Sequence, residues 1–491
     1  MSAASRAATA SSRVPREWAL FALLILWALA LRGRDFGNPI IHVDEQYYLL
    51  VGDRILRGAW PYLDIWDRKP IGLFLIFAAA RLLPGDGILA YQLIATLFAA
   101  ATAWLIANGS RRLGAGAGGA AVAAAAYILW LSLLSGRGGQ SPVFYNLYVA
   151  AAGVLTLRLP ALARRRAGRE IAASGAVACL LAGMAIQTKY TPVVEGAFFG
   201  LAHCWFLRRA GGRIPIIAGV ATLWATMGVL PTAVVALVYR LHGPAAFDAF
   251  WFANFASVAL RQGYPAAKIA ARLAGTTAQL LPFVVAAVAV WRGGRRTAAV
   301  RLAFCWLAAA LIAFAMIGAF FDHYALPLLV PLTMIAGVAL SGRPRATTAF
   351  LGYGLALFVG RVLLVPTEAG SARAMARVMA AHDGGACPYV SAGDAILYLL
   401  ADACIPTAYA FPSMLAYQAE RGAIGVDEAA EVRRILARRP PVIVTMDEPM
   451  APWNPATQPI VATALTRDYR LAAREPQEGA HLLAYVRRDL R

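Results

Sequence analysis

Most of the chain consists of long apolar runs broken by short stretches rich in arginine. About eleven of these runs approach the ~20 residues needed to cross a bilayer: Val14 to Leu31, Ile88 to Asn108, Ala115 to Ser135, Pro142 to Leu159, Ile171 to Gln187, Pro192 to Leu207, Ile214 to Tyr239, Leu273 to Trp291, Ala298 to Phe320, Tyr324 to Leu340 and Thr347 to Val365. A further run, Ile71 to Leu83, has only 13 residues, which fits an interfacial or half-inserted helix. If it crossed, every later loop would change side, and the arginine clusters at 111–112, 164–169, 208–213, 292–301 and 343–345 would all face outward. The positive-inside bias rejects that arrangement. The segment Glu45 to Arg57 mixes Tyr, Leu, Val and Ile with Asp53, Arg54 and Arg57, and reads as a second surface helix.

The pattern therefore predicts a polytopic α-helical membrane domain over residues 1–366. Its first external loop covers 32–87 and its second long external loop covers 240–272. Shorter external segments are Gly136 to Ser141, Thr188 to Thr191 and Phe321 to His323. Past residue 366 the pattern changes to alternating strand-like and helical stretches: Pro388 to Ser391, a helix Asp394 to Asp402, a helix Asp427 to Arg438, a strand Val442 to Met446, and a terminal pair Tyr469 to Ala473 and His481 to Val486. Residues 367–491 thus read as a small external α/β domain. No internal repeat is evident.

Composition agrees with a multispanning protein: 60% of residues are hydrophobic, 15% are charged and the mean hydropathy is +0.60. The net charge of +20 resides in the loop clusters, so it reads as topology and not as a nucleic-acid surface. Of five cysteines, Cys179, Cys204 and Cys305 fall in apolar spans, where a thiol packs as a small hydrophobe. Cys387 and Cys404 fall in the external domain and are disulfide candidates in an oxidising compartment. No metal-like cysteine spacing exists, and no metal site is assigned. The basic start, Met1 to Arg16, with Trp18 to Leu31 and Ala28-Leu29-Ala30 behind it, has the make-up of a signal peptide; we read it as an uncleaved first helix. The Gly/Ala stretch Ala115 to Ala126 reads as close helix packing.

The candidate chemistry lies in the first external loop. Asp44-Glu45 arrives just past the first span, and carboxylates are costly near hydrocarbon, which marks the pair as functional. Trp66-Asp67-Arg68-Lys69-Pro70 follows. Arginine outnumbers lysine 43 to three, and Lys69, Lys189 and Lys268 all fall on the predicted external side. A compact ammonium suits a phosphate, which nominates Lys69 and Lys189, with Lys268 less favoured. Tyr190, Arg261, His323 and Tyr324 are further candidates for carrier or substrate contact. Each has a plainer reading: Asp44 as a helix cap, Glu45 as a charge at a helix start, and the loop cations and aromatics as an interfacial belt.

Asp44-Glu45 with Tyr47, then Gly58-Ala59-Trp60-Pro61-Tyr62 and Asp67-Arg68-Lys69-Pro70, resembles the first external loop of the GT-C membrane glycosyltransferases. Within that superfamily it is similar to the aminoarabinose transferase and protein O-mannosyltransferase branch, family 39-like. Gln187-Thr188-Lys189-Tyr190 resembles the family's Thr-Lys at a helix end, and Phe321-Asp322-His323-Tyr324 with Pro327 and Pro331 resembles its late His-Tyr-Pro segment. The resemblance covers about residues 15 to 365.

It implies a GT-C fold and transfer of a sugar from a polyprenyl-phosphate carrier to an acceptor at the external face of a bacterial inner membrane. Asp44, with Glu45 beside it, would serve as catalytic base. Tyr47, Arg68 and Lys69 would contact carrier or substrate, Lys69 matching the lysine of the family's Lys-Pro-Pro. The expected partners are a polyprenyl-phosphate-linked sugar, a glycolipid or glycan acceptor and membrane lipid, with no nucleic acid. No cofactor is assigned, and a divalent cation stays open. The chain departs from the family at Arg68, where a glutamate is usual, at Ile71, where a second proline is usual, and in 136–142, which lacks an acidic residue. Protein O-glycosylation is the enzymatic alternative. A lipid-linked sugar flippase is the non-enzymatic one, but it predicts ionisable residues along the midplane of several helices.

Overall fold

A computed structural model describes residues 13–261, 263–294, 297–364, 369–382, 385–477 and 479–490. They group into two compact units. One takes in Met1–Arg34, Leu93–Ala233 and Ala266–Val365; the other takes in Asp35–Gln92, Val234–Pro265 and Pro366–Arg491.

The first unit is built of apolar helices. Among the described residues, eight helices are long and apolar enough to cross a membrane: Ile88–Leu113, Ser141–Arg164, Gly168–Ile186, Ile214–His242, Ala266–Arg292, Ala298–Met316, Asp322–Leu340 and Pro344–Leu364. Helices Arg13–Arg32, Ala117–Leu133 and Val193–Arg209 occupy the positions of the other three expected spans. The glycines at 119 and 337 explain the small-residue stretch. A Cβ on Gly337 would come within 3.0 Å of the Gly119 carbonyl oxygen and the Ala123 methyl, so the two helices pack backbone against backbone.

Loops assigned to one side of the membrane meet at one end of this unit. Arg32 is wholly buried, and it donates to the carbonyls of Gly136 (2.7 Å) and Gly138 (2.6 Å) and to Thr96 Oγ1 (3.0 Å). Ser135 donates to Asp322, and Arg272 donates to the Ala319 carbonyl while lying over the Phe321 ring at 3.8 Å.

The second unit contains the two short helices of the first loop, Val43–Leu56 and Ile71–Arg81. They cross at Gly52, where a Cβ would stand 2.6 Å from the Ala78 nitrogen and 2.8 Å from the Phe77 carbonyl carbon. The C-terminal region adds a four-stranded sheet of β1 (Tyr389–Val390), β2 (Val442–Met446), β3 (Tyr469–Gln477) and β4 (Ala480–Arg487), in the order β1-β2-β4-β3. β1 pairs with β2 in parallel; the other two pairings are antiparallel. Cys387 and Cys404 are joined in a disulfide. Helices Ala369–Ala381 and Gln458–Asp468 lie outside the elements expected from the pattern. The strap of the first loop, helix Pro244–Trp251 and the C-terminal region belong to this same unit.

Candidate active site

Helix Val43–Leu56 begins at His42, whose ring nitrogen accepts the Asp44 N–H at 3.2 Å. The cap is thus provided by His42, and Asp44 stands in the first turn with about a fifth of its side chain exposed. Its carboxylate lies 4.0 Å from His42 Nδ1. Glu45 is wholly buried, and its carboxylate accepts the Tyr91 hydroxyl at 3.3 Å. Of the pair, Asp44 is the one that a substrate can reach.

Residues 60–70 form a strap held from several sides. Tyr62 adopts φ +71°, a conformation uncommon outside glycine, and its N–H donates to the Ile65 carbonyl at 2.7 Å. The Tyr62 hydroxyl donates to the Lys69 carbonyl at 2.8 Å. The Tyr47 hydroxyl donates to the Trp66 carbonyl at 2.8 Å, and its ring stacks on Phe411. The Trp66 N–H donates to the Ala408 carbonyl at 2.8 Å. Tyr47, expected at the substrate, is fully buried. Burial raises its phenol's pKa well above the ordinary value.

The strap brings Asp67 and Lys69 into the neighbourhood of Asp44. Asp67 is buried, and burial raises its carboxyl pKa; the nearby Lys69 ammonium lowers it, and the Asp44 carboxylate raises it further. The Lys69 ammonium sits 5.4 Å from the Tyr48 ring centroid. Two carboxylates and an ammonium therefore share one electrostatic neighbourhood, and the Arg68 N–H and guanidinium also favour the Asp67 carboxylate.

Arg68 and Arg261, expected at the carrier phosphate, both turn to Glu420. Arg68 Nη1 is 2.6 Å and Arg261 Nη2 is 2.7 Å from its two oxygens. Arg68 also donates to Ser257 Oγ and to the Ala423 carbonyl, and its guanidinium covers the Trp66 ring at 4.8 Å. The Gln46 amide, one turn into the first helix, donates to Asp394 at 2.8 Å. Glu420 and Asp394 lie some 350 residues further along the chain and carry no local signal of this pairing. Asp67 was visible within the loop motif but not singled out there.

The remaining candidates belong to the helical unit. The Lys189 ammonium lies over the Tyr324 ring at 4.1 Å. His323 is buried, stacks on Phe321 and meets Tyr324 edge-on, with Nδ1 3.5 Å from Asp322. Tyr190 is half-buried, which raises its phenol's pKa. Lys268 is exposed in the first turn of Ala266–Arg292. Among the described residues, no group of three or more His, Cys, Asp or Glu is placed to hold a metal ion.

No family model and no curated protein sequence matches the chain. Solved structures do. ArnT from Cupriavidus metallidurans in the apo state superposes with a TM-score of 0.64 at 15% identity, covering 97% of this chain and 98% of that one. ArnT from the same organism bound to undecaprenyl phosphate gives a TM-score of 0.61 at 16% identity, covering the same shares. With its small C-terminal sheet and its eight described helices long and apolar enough to cross a membrane, the chain has the fold of ArnT.

Proposed function

We propose that the chain is a glycosyltransferase moving a monosaccharide from a polyprenyl-phosphate carrier to a cell-envelope acceptor, a lipid A-type glycolipid or a polysaccharide. The site and the C-terminal region face the periplasm of a bacterial inner membrane. The observation that supports the reading is the 2.8 Å hydrogen bond from Tyr47, on the helix whose first turn bears Asp44, to the Trp66 carbonyl in the strap that bears Asp67 and Lys69. It is supported by the shared fold with ArnT, one structure of which holds undecaprenyl phosphate.

Asp44 takes the proton of the acceptor hydroxyl as that oxygen attacks the anomeric carbon. The bond from the anomeric carbon to the phosphate oxygen breaks, and its electron pair leaves on the carrier phosphate, whose growing charge meets the Lys69 ammonium in a site of low dielectric. A single displacement inverts the anomeric centre. Glu45 and Tyr47 act as positioning residues for the helix and the strap. Lys189 with Tyr324 is retained as a candidate anion contact, as a cation held over a ring face keeps its charge available to a phosphate.

The test is sugar transfer by Asp44→Asn with a polyprenyl-phosphate sugar donor. Turnover at the wild-type rate in a folded variant overturns the role of Asp44, whereas loss of turnover with retained carrier binding is the expected result. Lipid extraction from a deletion strain then identifies the envelope glycan that loses a residue; loss of a protein-linked glycan instead would favour protein O-glycosylation.

A further inference from the structure

At the end of the helical unit away from Lys189 and Gly136, four arginines surround a cavity of about 530 Å³. Arg112 comes from the last turn of Ile88–Leu113, Arg158 from the start of the short helix Leu159–Arg164, and Arg164 and Arg165 from its end. No carboxylate lines the cavity. Arg165 has a loose ion pair with Glu170 at 3.7 Å. Arg112, Arg158 and Arg164 have no acidic partner among the described residues.

Arg158 is half-buried and Arg112, Arg164 and Arg165 are exposed around one common hollow; like charges gathered there repel, a cost that an anion would relieve. The fourth wall is the first turn of Ala298–Met316, where Thr297 caps the Val300 N–H and Ala298 and Ala299 border the cavity. A helix start adds partial positive charge. The deeper wall is apolar, with Leu113, Leu157 and Leu162.

We propose that this cavity binds the phosphate headgroup of an anionic phospholipid. The location fits that source: the arginines stand at the ends of helices long and apolar enough to cross a membrane, where headgroups would lie, and apolar side chains line the same hollow. Guanidinium forks match phosphate oxygens two at a time, and basic pockets between membrane helices suit such headgroups. The inference does not depend on the proposed reaction.

Delipidated full-length protein in detergent is titrated with short-chain phosphatidylglycerol or phosphatidylcholine and followed by native mass spectrometry. Phosphatidylglycerol binds and phosphatidylcholine does not; the double variant Arg112→Gln/Arg158→Gln weakens binding about thirtyfold, as expected for two interfacial charges. Should that variant fail to fold, Ala161→Glu, which sets a carboxylate at the exposed rim, reads the same site. Arg213→Gln, an exposed arginine outside the cavity, leaves binding unchanged. Equal binding of the two lipids, or undiminished binding in the variants, overturns the proposal. Tight binding of inorganic phosphate without selectivity between the lipids assigns the cavity to a soluble anion and overturns it too.

Discussion

The Arg68 guanidinium lies 2.6 Å from the Glu420 carboxylate, so the residue next to Lys69 is fastened to a point far along the chain. Arg261 takes the other oxygen of the same carboxylate at 2.7 Å. Both Arg68 and Glu420 are largely buried, and removing one member leaves a charge without its counter-ion. Glu420→Ala is therefore expected to destabilise the protein by about 3 kcal/mol, with Arg261, a third exposed, contributing the smaller share. Thermal unfolding checks the stability. Transfer assays on the fraction that stays folded check the strap, where a higher KM for the donor is the expected sign of a displaced Lys69.

Asp44→Asn is expected to lower turnover by about a hundredfold or more while the melting temperature holds. The second half of that expectation comes from His42, which supplies the helix cap independently of the Asp44 side chain. Comparing kcat with the melting curve separates a lost base from a lost helix start.

Lys69→Arg and Lys69→Met should part company. The methionine removes the charge and is expected to weaken binding of a polyprenyl phosphate measured by competition. The arginine keeps the charge in a wider planar fork and restores only part of the affinity. Equal affinity across wild type and both variants would remove Lys69 from the carrier site.

Asp67 gives a stability dependence on pH with a defined sign. Its folded pKa is raised by burial, so between the unfolded and folded values the folded state holds more protons than the unfolded one, and stability falls as pH rises through that window. Asp67→Asn is expected to melt higher than wild type at about pH 8, and the gap should narrow as the pH is lowered to about 4. A gap that widens on acidification would reverse the assignment.

Gly52→Val tests the helix crossing that sets the floor of the first loop. A side chain there collides with the backbone of Phe77 and Ala78 and not with a movable side-chain tip, so a loss of about 2 kcal/mol is expected. Gly58→Ala, in the open, left-handed turn that follows, adds no collision and reports only backbone strain.

The elements that could be read from the amino-acid order are those with a local cause. The spans follow from run length. Strand Val442–Met446 follows from a β-branched run between Pro441 and Asp447, and helix Glu428–Ala437 from the Asp427 cap. Ile71–Arg81 was legible as a short apolar helix from the length of its run. The contacts of Tyr47, Arg68 and Arg261 were not legible. Their residue types suit substrate as well as scaffold, and Phe411 and Glu420, which they meet, lie in a distant part of the chain. Helix Gln458–Asp468 escaped notice because polar residues and Pro459 interrupt its apolar spacing.

The hydrogen bonds from Gln46 to Asp394, Trp66 to Ala408 and Arg68 to Glu420 each join residues that leave the ribosome far apart in time. The first loop gains these anchors only when the last quarter of the polypeptide has been made. Its completion is thus a late event in biogenesis, and a nascent chain stalled before Asp394 would lack all three.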